Sequence, residues 1–304
     1  MPLDPAAKNV LDLLASMGAP PLDQQTPTEA RAAFAGMAML GGEGAPVAAV
    51  TERTIAGVSC TVVTPEVAGA LPMLVWFHGG GWVIGTAAES AATCRDLAAA
   101  AQCLVVSVDY RLAPEHRAPA AVDDCLAVTR WILDHAGDLG GDPMRVAVGG
   151  DSAGGNLAAV VALALGARLR HQLLVYPATD LTLTQPSIDE NGDGYLLTKA
   201  SMRWFVDHYL TASGIAPDDP RVSPLHADDA ALSAAPPAYV ITAEFDPLRD
   251  EGEAYAERLR GLGVHVELDR FAGQIHAFYS MPVAIPDGAT AIARSAAHLR
   301  AAFN

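Results

Sequence analysis

Six short, continuous apolar runs alternate with helical patterns from about residue 46 onward, and this alternation limits the fold more than any other feature of the chain. The runs are Met73–Phe77, Cys103–Val108, Arg145–Val148, His171–Tyr176, Ala238–Thr242 and Val264–Leu268. A strand covered on both faces reads as an unbroken apolar run, whereas a strand with one wet face alternates. Helical patterns fill the gaps, over Ser90–Ala101, Ala120–His135, Ala153–Leu165, Asp250–Leu262 and Ala289–Phe303. Strand, helix, strand, helix predicts an α/β fold: a mainly parallel, doubly wound sheet with helices on both faces. Val58–Val63 is a further strand, expected to form a hairpin with the segment before Ala56-Gly57.

Two stretches depart from the alternation. Residues 1–45 carry helical patterns and no strand, and residues 181–226 are a long excursion between two strands. The second holds an acidic turn, Asp189–Gly194, and a helical pattern over Ser201–Leu210. Long insertions in α/β domains are usually functional, and open α/β sheets bind ligands at the strand C-termini. The expectation is a helical cap made of residues 1–45 and 181–226, set on a main α/β domain of residues 46–180 and 227–304.

Charge narrows the range of partners. The 304 residues include 19 Lys plus Arg against 35 Asp plus Glu, for a formal net charge of −16. Sequence-blind nucleic-acid binding needs the opposite sign, and an anionic membrane surface is disfavoured for the same reason. The N-terminus lacks a basic segment followed by an apolar one, and the longest apolar run, Leu157–Ala167, falls short of the ~20 residues that span a bilayer. Cys60, Cys94, Cys103 and Cys125 form no C-x-x-C pair and read as buried thiols in a reducing compartment. These features predict a cytoplasmic protein with no metal site, no nucleic-acid partner and no membrane partner.

Gly150-Asp151-Ser152-Ala153-Gly154 fits G-x-S-x-G, and its setting gives the pattern weight. It follows the strand Arg145–Val148 and opens the helix Ala153–Leu165, as a nucleophile elbow requires. A Cβ at Gly150 or Gly154 would crowd the neighbouring backbone of so tight a turn. The elbow would lift Ser152 Oγ above the sheet at the positive end of a helix. The residue after the nucleophile, Ala153, is expected to donate its N–H to an oxyanion. Upstream, His78-Gly79-Gly80-Gly81-Trp82 ends the strand Met73–Phe77. Three glycines in a row are entropically costly, and close approach of backbone N–H groups to a developing oxyanion is a reason for them. No Lys and no G-x-x-x-x-G-K-[ST] follows, which removes the phosphate-loop reading.

A nucleophilic serine needs a base and an acid to orient it, in the chain order Ser, Asp or Glu, His. His276 follows the last strand, Val264–Leu268, after a short loop. His171, His208, His226, His265 and His298 compete, but most sit within predicted strands or helices. Asp246 stands at the end of the strand Ala238–Thr242 before Pro247; Glu244, Asp250 and Glu251 are rivals, the last two better placed to begin the next helix.

Taken together, His78–Trp82, Gly150–Asn156, Asp246–Gly252 and Gln274-Ile275-His276 resemble the bacterial hormone-sensitive-lipase-like, or family IV, esterases. Asp109–Glu115 and the stretch from Gly194 to Phe205 also resemble the family, so the likeness spans essentially the whole chain. The resemblance implies an α/β-hydrolase fold and a serine carboxylesterase acting on small, short- to medium-chain acyl esters without a cofactor. It implies Ser152, His276 and Asp246 as the triad, with Gly80 and Gly81 joining Ala153 as oxyanion donors. His78 would orient the glycine loop, and Asp151 would hydrogen-bond loop amides without a proton-transfer role. Trp82, Met202, Trp204, Phe205 and Leu210 are expected to line the substrate pocket. Relatives also imply a homodimer. Ala277 departs from the family, in which glycine often follows the histidine; its methyl is expected to narrow the pocket or shift the loop. The competing functions are an amidase or deacetylase of the same fold and a non-catalytic small-ligand receptor, and the complete triad argues against the receptor.

Overall fold

The computed structural model describes residues 2–304. Among the described residues, eight strands form one sheet: β1 (Ala49–Ile55), β2 (Val58–Thr64), β3 (Leu71–Phe77), β4 (Leu104–Val108), β5 (Gly141–Asp151), β6 (His171–Val175), β7 (Ala238–Phe245) and β8 (Val266–Ile275). Ten α-helices accompany them among the described residues: α1 (Pro5–Ser16), α2 (Pro27–Met37), α3 (Ala91–Ala101), α4 (Ala120–His135), α5 (Ala153–Leu165), α6 (Ser187–Glu190), α7 (Lys199–Leu210), α8 (Asp229–Ser233), α9 (Arg249–Gly261) and α10 (Pro286–Phe303). The sheet order is β1-β2-β4-β3-β5-β6-β7-β8. β1, β2 and β4 are joined by antiparallel ladders, and every neighbour pair from β4 to β8 is parallel. The expected hairpin and the mainly parallel, doubly wound sheet are both present.

Successive residues of a strand point to opposite faces, and β3 shows the consequence. Met73, Val75 and Phe77 join one core with α4, α5 and α9, while Leu74 and Trp76 join a second core with α1, α3 and α10. Both faces of the central strands are therefore dry, which is why their sequences read as unbroken apolar runs. All four cysteines are free and buried within these two cores. Desolvation pushes the thiols of Cys60, Cys94 and Cys103 up to about 12, so they pack as small apolar groups.

Several strands run longer than expected, β5 and β8 most of all. β5 begins at Gly141, and β8 continues past Leu268 to Ile275, so His276 follows its strand directly rather than after a loop. β8 is an edge strand with exposed Glu267 and Arg270, and that wet margin makes its sequence look like a loop. Among the described residues no helix is long and apolar enough to cross a membrane.

Candidate active site

Because β3, β5, β7 and β8 are parallel, their C-terminal ends open on one edge of the sheet. His78, Ser152, Asp246 and His276 each follow one of these ends immediately. β3 and β5 are neighbours, and β3 also pairs with β4, so the chain winds away from this point in both directions. Such a switch point is where α/β sheets leave a crevice.

The elbow at Ser152 is strained. Ser152 has φ 57° and ψ −118°, and although it directly precedes α5 its side chain makes no capping hydrogen bond. Its backbone is held instead by Ser152 N–H donating to Val175 O (2.9 Å) and by Ala178 N–H donating to Ser152 O (3.3 Å). A Cβ on Gly154 would stand 1.9 Å from Phe77 O, and one on Gly150 would stand 2.4 Å from the Gly154 carbonyl carbon. Ser152 is one of several backbone positions around the crevice with φ in the left-handed half of the map. Others are Gly80, Gly81, Trp82, Gly85, Tyr176 and Ala277. Strain of this kind persists where the surrounding structure over-determines it, and it gathers at functional sites.

A continuous hydrogen-bond line crosses the crevice. Ser152 Oγ is 2.9 Å from His276 Nε2, and His276 Nδ1 is 2.7 Å from Asp246 Oδ2. Asp246 is fully buried, and its other oxygen accepts Leu248 N–H at 2.9 Å. The Tyr176 ring packs tilted against the imidazole, 4.6 Å between centroids. The rival acids lie elsewhere. Glu251 accepts from Thr179 N–H (2.7 Å) and Asp180 N–H (3.2 Å), Asp250 accepts from Ser187 N–H, and Glu244 accepts from Gly273 N–H. Burial drives the Glu251 carboxyl well above the usual range. Of the rival imidazoles, His226 pairs with Asp180 and His171 is buried, its pKa pressed down to about 3 by desolvation.

The glycine loop wraps the other side of Ser152. His78 stacks on Tyr110 (4.2 Å), its Nδ1–H donates to Gly79 O (2.7 Å), and Tyr110 Oη donates to His78 O (2.7 Å). Burial lowers the His78 pKa, so the ring is a neutral brace for the loop. Asp151 Oδ1 accepts Gly79 N–H at 3.0 Å, and desolvation raises its carboxyl to about 6. Among the described residues nothing accepts a hydrogen bond from the amides of Gly80, Gly81 or Ala153. Three unpaired donors beside a nucleophile suit a developing oxyanion.

Two cavities meet at Ser152. The smaller, about 10 Å³, is walled by Trp82, Ala178, Met202, Phe205 and Leu248. The larger, about 440 Å³, has His276 and Ala277 on one wall and α1 and α2 residues such as Leu14 and Phe34 on another. Trp204 and Leu210 belong to the wall of neither. Met202 and Phe205 share one face of α7, whereas Trp204 turns edge-on against Phe205 and His208, and Leu210 packs into the core. Tyr176, Ala178 and Leu248 were not singled out by sequence reasoning, because an apolar residue just past a strand end looks like ordinary core. Buried Asn156, within the elbow motif, donates to Ala178 O and Val222 O, both at 2.7 Å, tying α5 to the chain that returns from residues 181–226.

Comparisons with known proteins give the family and the fold. A family model described as the α/β hydrolase fold matches residues 74–280. Carboxylic ester hydrolase LipN of Mycobacterium tuberculosis is 47% identical over 226 residues, which cover 71% of this chain and 60% of LipN. Carboxylesterase NlhH of the same species is 43% identical over 244 residues, covering 79% of this chain and 76% of NlhH. A Ser-to-Ala mutant of LAE6, an α/β hydrolase enzyme from the metagenome of Lake Arreo, Spain, superposes with a TM-score of 0.94 at 40% identity, over 99% of this chain and 98% of its own. The chain belongs to the hormone-sensitive-lipase-like, family IV carboxylesterases of the α/β-hydrolase superfamily.

Proposed function

We propose that the protein hydrolyses small short- to medium-chain acyl esters through a Ser152–His276–Asp246 triad and an acyl-enzyme intermediate. The observation that carries the reading is the unbroken line Ser152 Oγ–His276–Asp246, with spacings of 2.9 and 2.7 Å, facing the unpaired amides of Gly80, Gly81 and Ala153. In this reaction Ser152 Oγ attacks the ester carbonyl while His276 Nε2 takes its proton. Asp246 holds the Nδ1–H tautomer and stabilises the imidazolium. The three amides receive the oxyanion. The carbon–oxygen bond to the alcohol then breaks, His276 returns the proton to the leaving oxygen, and water repeats the sequence to free the acid. Residues 1–45 and 181–226 act as the cap, and the enzyme works in the cytoplasm as a homodimer.

The test is initial rates on p-nitrophenyl esters for the wild type and Ser152→Ala. Triad members act as a unit, so kcat is expected to fall by roughly 10⁶-fold. Undiminished turnover in Ser152→Ala overturns the assignment. Matched anilides separate an esterase from an amidase, because the poorer leaving group must be protonated before it departs.

A further inference from the structure

We infer that Asn191 and Ser187, in the excursion between β6 and β7, are positioning residues for Asp246: they brace the loop that carries the proposed catalytic acid. The inference rests on the proposed triad and adds to it two side chains that line neither cavity.

Asp246 lies just past the last rung of the sheet. The β7–β8 ladder shifts register between Ala243 and Phe245, and α9 starts only at Arg249. The loop between them turns to α6 and the residue after it. Asn191 Nδ2 donates to Asp246 O at 3.2 Å and to Glu244 O at 3.4 Å. Ser187 Oγ donates to Pro247 O at 2.6 Å and accepts Asp250 N–H at 3.1 Å. Ser187 N–H donates to Asp250 Oδ2 at 2.9 Å. Glu190 pairs with Arg249 at 2.7 Å, and the same guanidinium donates to Glu244 O at 3.2 Å. Residues 187–191 thus grip the loop from Glu244 to Asp250 along its whole length.

These bonds bear on the direction of the carboxylate. Asp246 Oδ2 reaches His276 while Oδ1 accepts Leu248 N–H, so the side chain bridges the imidazole and its own loop. A shift of the loop moves both ends of that bridge. Asn191 and Ser187 fasten the two successive carbonyls of Asp246 and Pro247, and Pro247 has no N–H with which to fasten the loop itself. The brace is dry: Ser187 is fully buried and Asn191 is buried beside it, so a lost bond leaves a carbonyl without water. Its own place is set as well. Asn191 N–H donates to Ser187 O at 2.9 Å, and the chain leaves α6 so tightly that a Cβ on Gly192 would stand 2.4 Å from Ile188 O. Both groups that Asn191 Nδ2 meets are carbonyls, so only a donor serves there, and an aspartate of the same shape does not.

A tie that only anchors the excursion and one that positions Asp246 differ in what they cost once Asp246 is disabled. The experiment is therefore a double-mutant cycle on the full chain, read by turnover of p-nitrophenyl butyrate. Asn191→Ala is expected to lower kcat by about 10- to 100-fold, as a displaced catalytic group does, with KM changed by less than about twofold. Asn191→Asp, which keeps the volume and loses the donor, is expected to match it. Ser187→Ala removes a single oxygen and is expected to lower kcat by at least about fivefold; it keeps the test open where Asn191→Ala does not fold. In the Asp246→Asn background each substitution is expected to change kcat by less than about twofold, because the group it positions is already lost. Losses that multiply undiminished in that background overturn the inference and reduce the contact to an anchor. Wild-type kcat in the folded variants, checked by circular dichroism, overturns it as well. Wild-type turnover in Asp246→Asn instead removes the triad on which the inference rests.

Discussion

Asp246 Oδ2 sits 2.7 Å from His276 Nδ1 with the aspartate fully buried, and the second carboxylate oxygen is held by Leu248 N–H at 2.9 Å. Both oxygens are thus fixed, and the imidazole is presented to Ser152 as one tautomer. Asp246→Asn keeps the shape but puts an amide where only an acceptor serves, favouring the wrong tautomer. The expected outcome is a fall in kcat of about 10⁴-fold with KM little changed and the fold intact by circular dichroism. A fall below about tenfold contradicts the role given to Asp246.

Much of this site is visible in the sequence because sterics at two points leave few alternatives. Gly150 and Gly154 flank Ser152 because Phe77 O and the Gly154 carbonyl occupy the space of any side chain there. Asp246 and His276 are legible because parallel strands must end on one edge, so residues just past strand ends in the second half of the chain come together. The pocket is legible only in part. Helical spacing brings Met202 and Phe205 to one face of α7, but composition alone does not separate them from Trp204 and Leu210. Walls supplied by α1 and α2 have no signal beyond ordinary amphipathicity. The grip on α2 comes from Arg31, which donates to Glu115, Val83 O and Ala113 O, contacts more than 50 residues away in sequence.

The contact between Gly81 and Phe205 makes the glycine testable. Gly81 has φ +57°, and a Cβ there would meet three ring carbons of Phe205 at 2.1–2.5 Å. Gly81→Ala must shift the loop and misdirect its amide. Loss of one oxyanion donor costs about 2.7–4 kcal/mol, so kcat is expected to drop by 10²–10³-fold. Adding Phe205→Ala removes the clash and is expected to recover at least tenfold of that loss. Full activity in Gly81→Ala would mean that its amide does not serve the oxyanion.

Ala277 occupies a left-handed conformation, φ +68°, on the wall of the large cavity. A non-glycine residue in this region carries a strain of roughly 1–2 kcal/mol, and Ala277→Gly relieves it. Greater freedom in the unfolded chain takes back about 0.4–1 kcal/mol. The net expectation is a gain in urea-unfolding stability of up to about 1.5 kcal/mol. Destabilisation by more than about 1 kcal/mol is the contrary result.

Asn156 ties the elbow helix to the returning chain by side-chain hydrogen bonds. Its amide donates at 2.7 Å to both Ala178 O and Val222 O, and the residue is fully buried. Asn156→Ala strands two buried carbonyls, each costing about 1–3 kcal/mol. The expected loss is about 3 kcal/mol in urea unfolding, with the slope of the transition unchanged. A loss under about 1 kcal/mol implies that water replaces the amide at no penalty.

Asp151 makes stability depend on pH in the direction opposite to an ordinary salt-bridged carboxylate. Desolvation raises its carboxyl to about 6 in the folded chain, against ~3.9 for a free aspartate. Between these values the folded state holds a proton that the unfolded state has released. Stability therefore falls as pH rises from about 4 to 6 and stays reduced above 6, by at most about 3 kcal/mol. Asp151→Asn carries no proton to lose, and its urea-unfolding free energy should lack this decline. Unfolding both proteins at pH 4, 5, 6 and 7 reads the difference. Parallel curves across that range would show that the carboxylate is solvated while it accepts Gly79 N–H, and that the loop bears no cost from its charge.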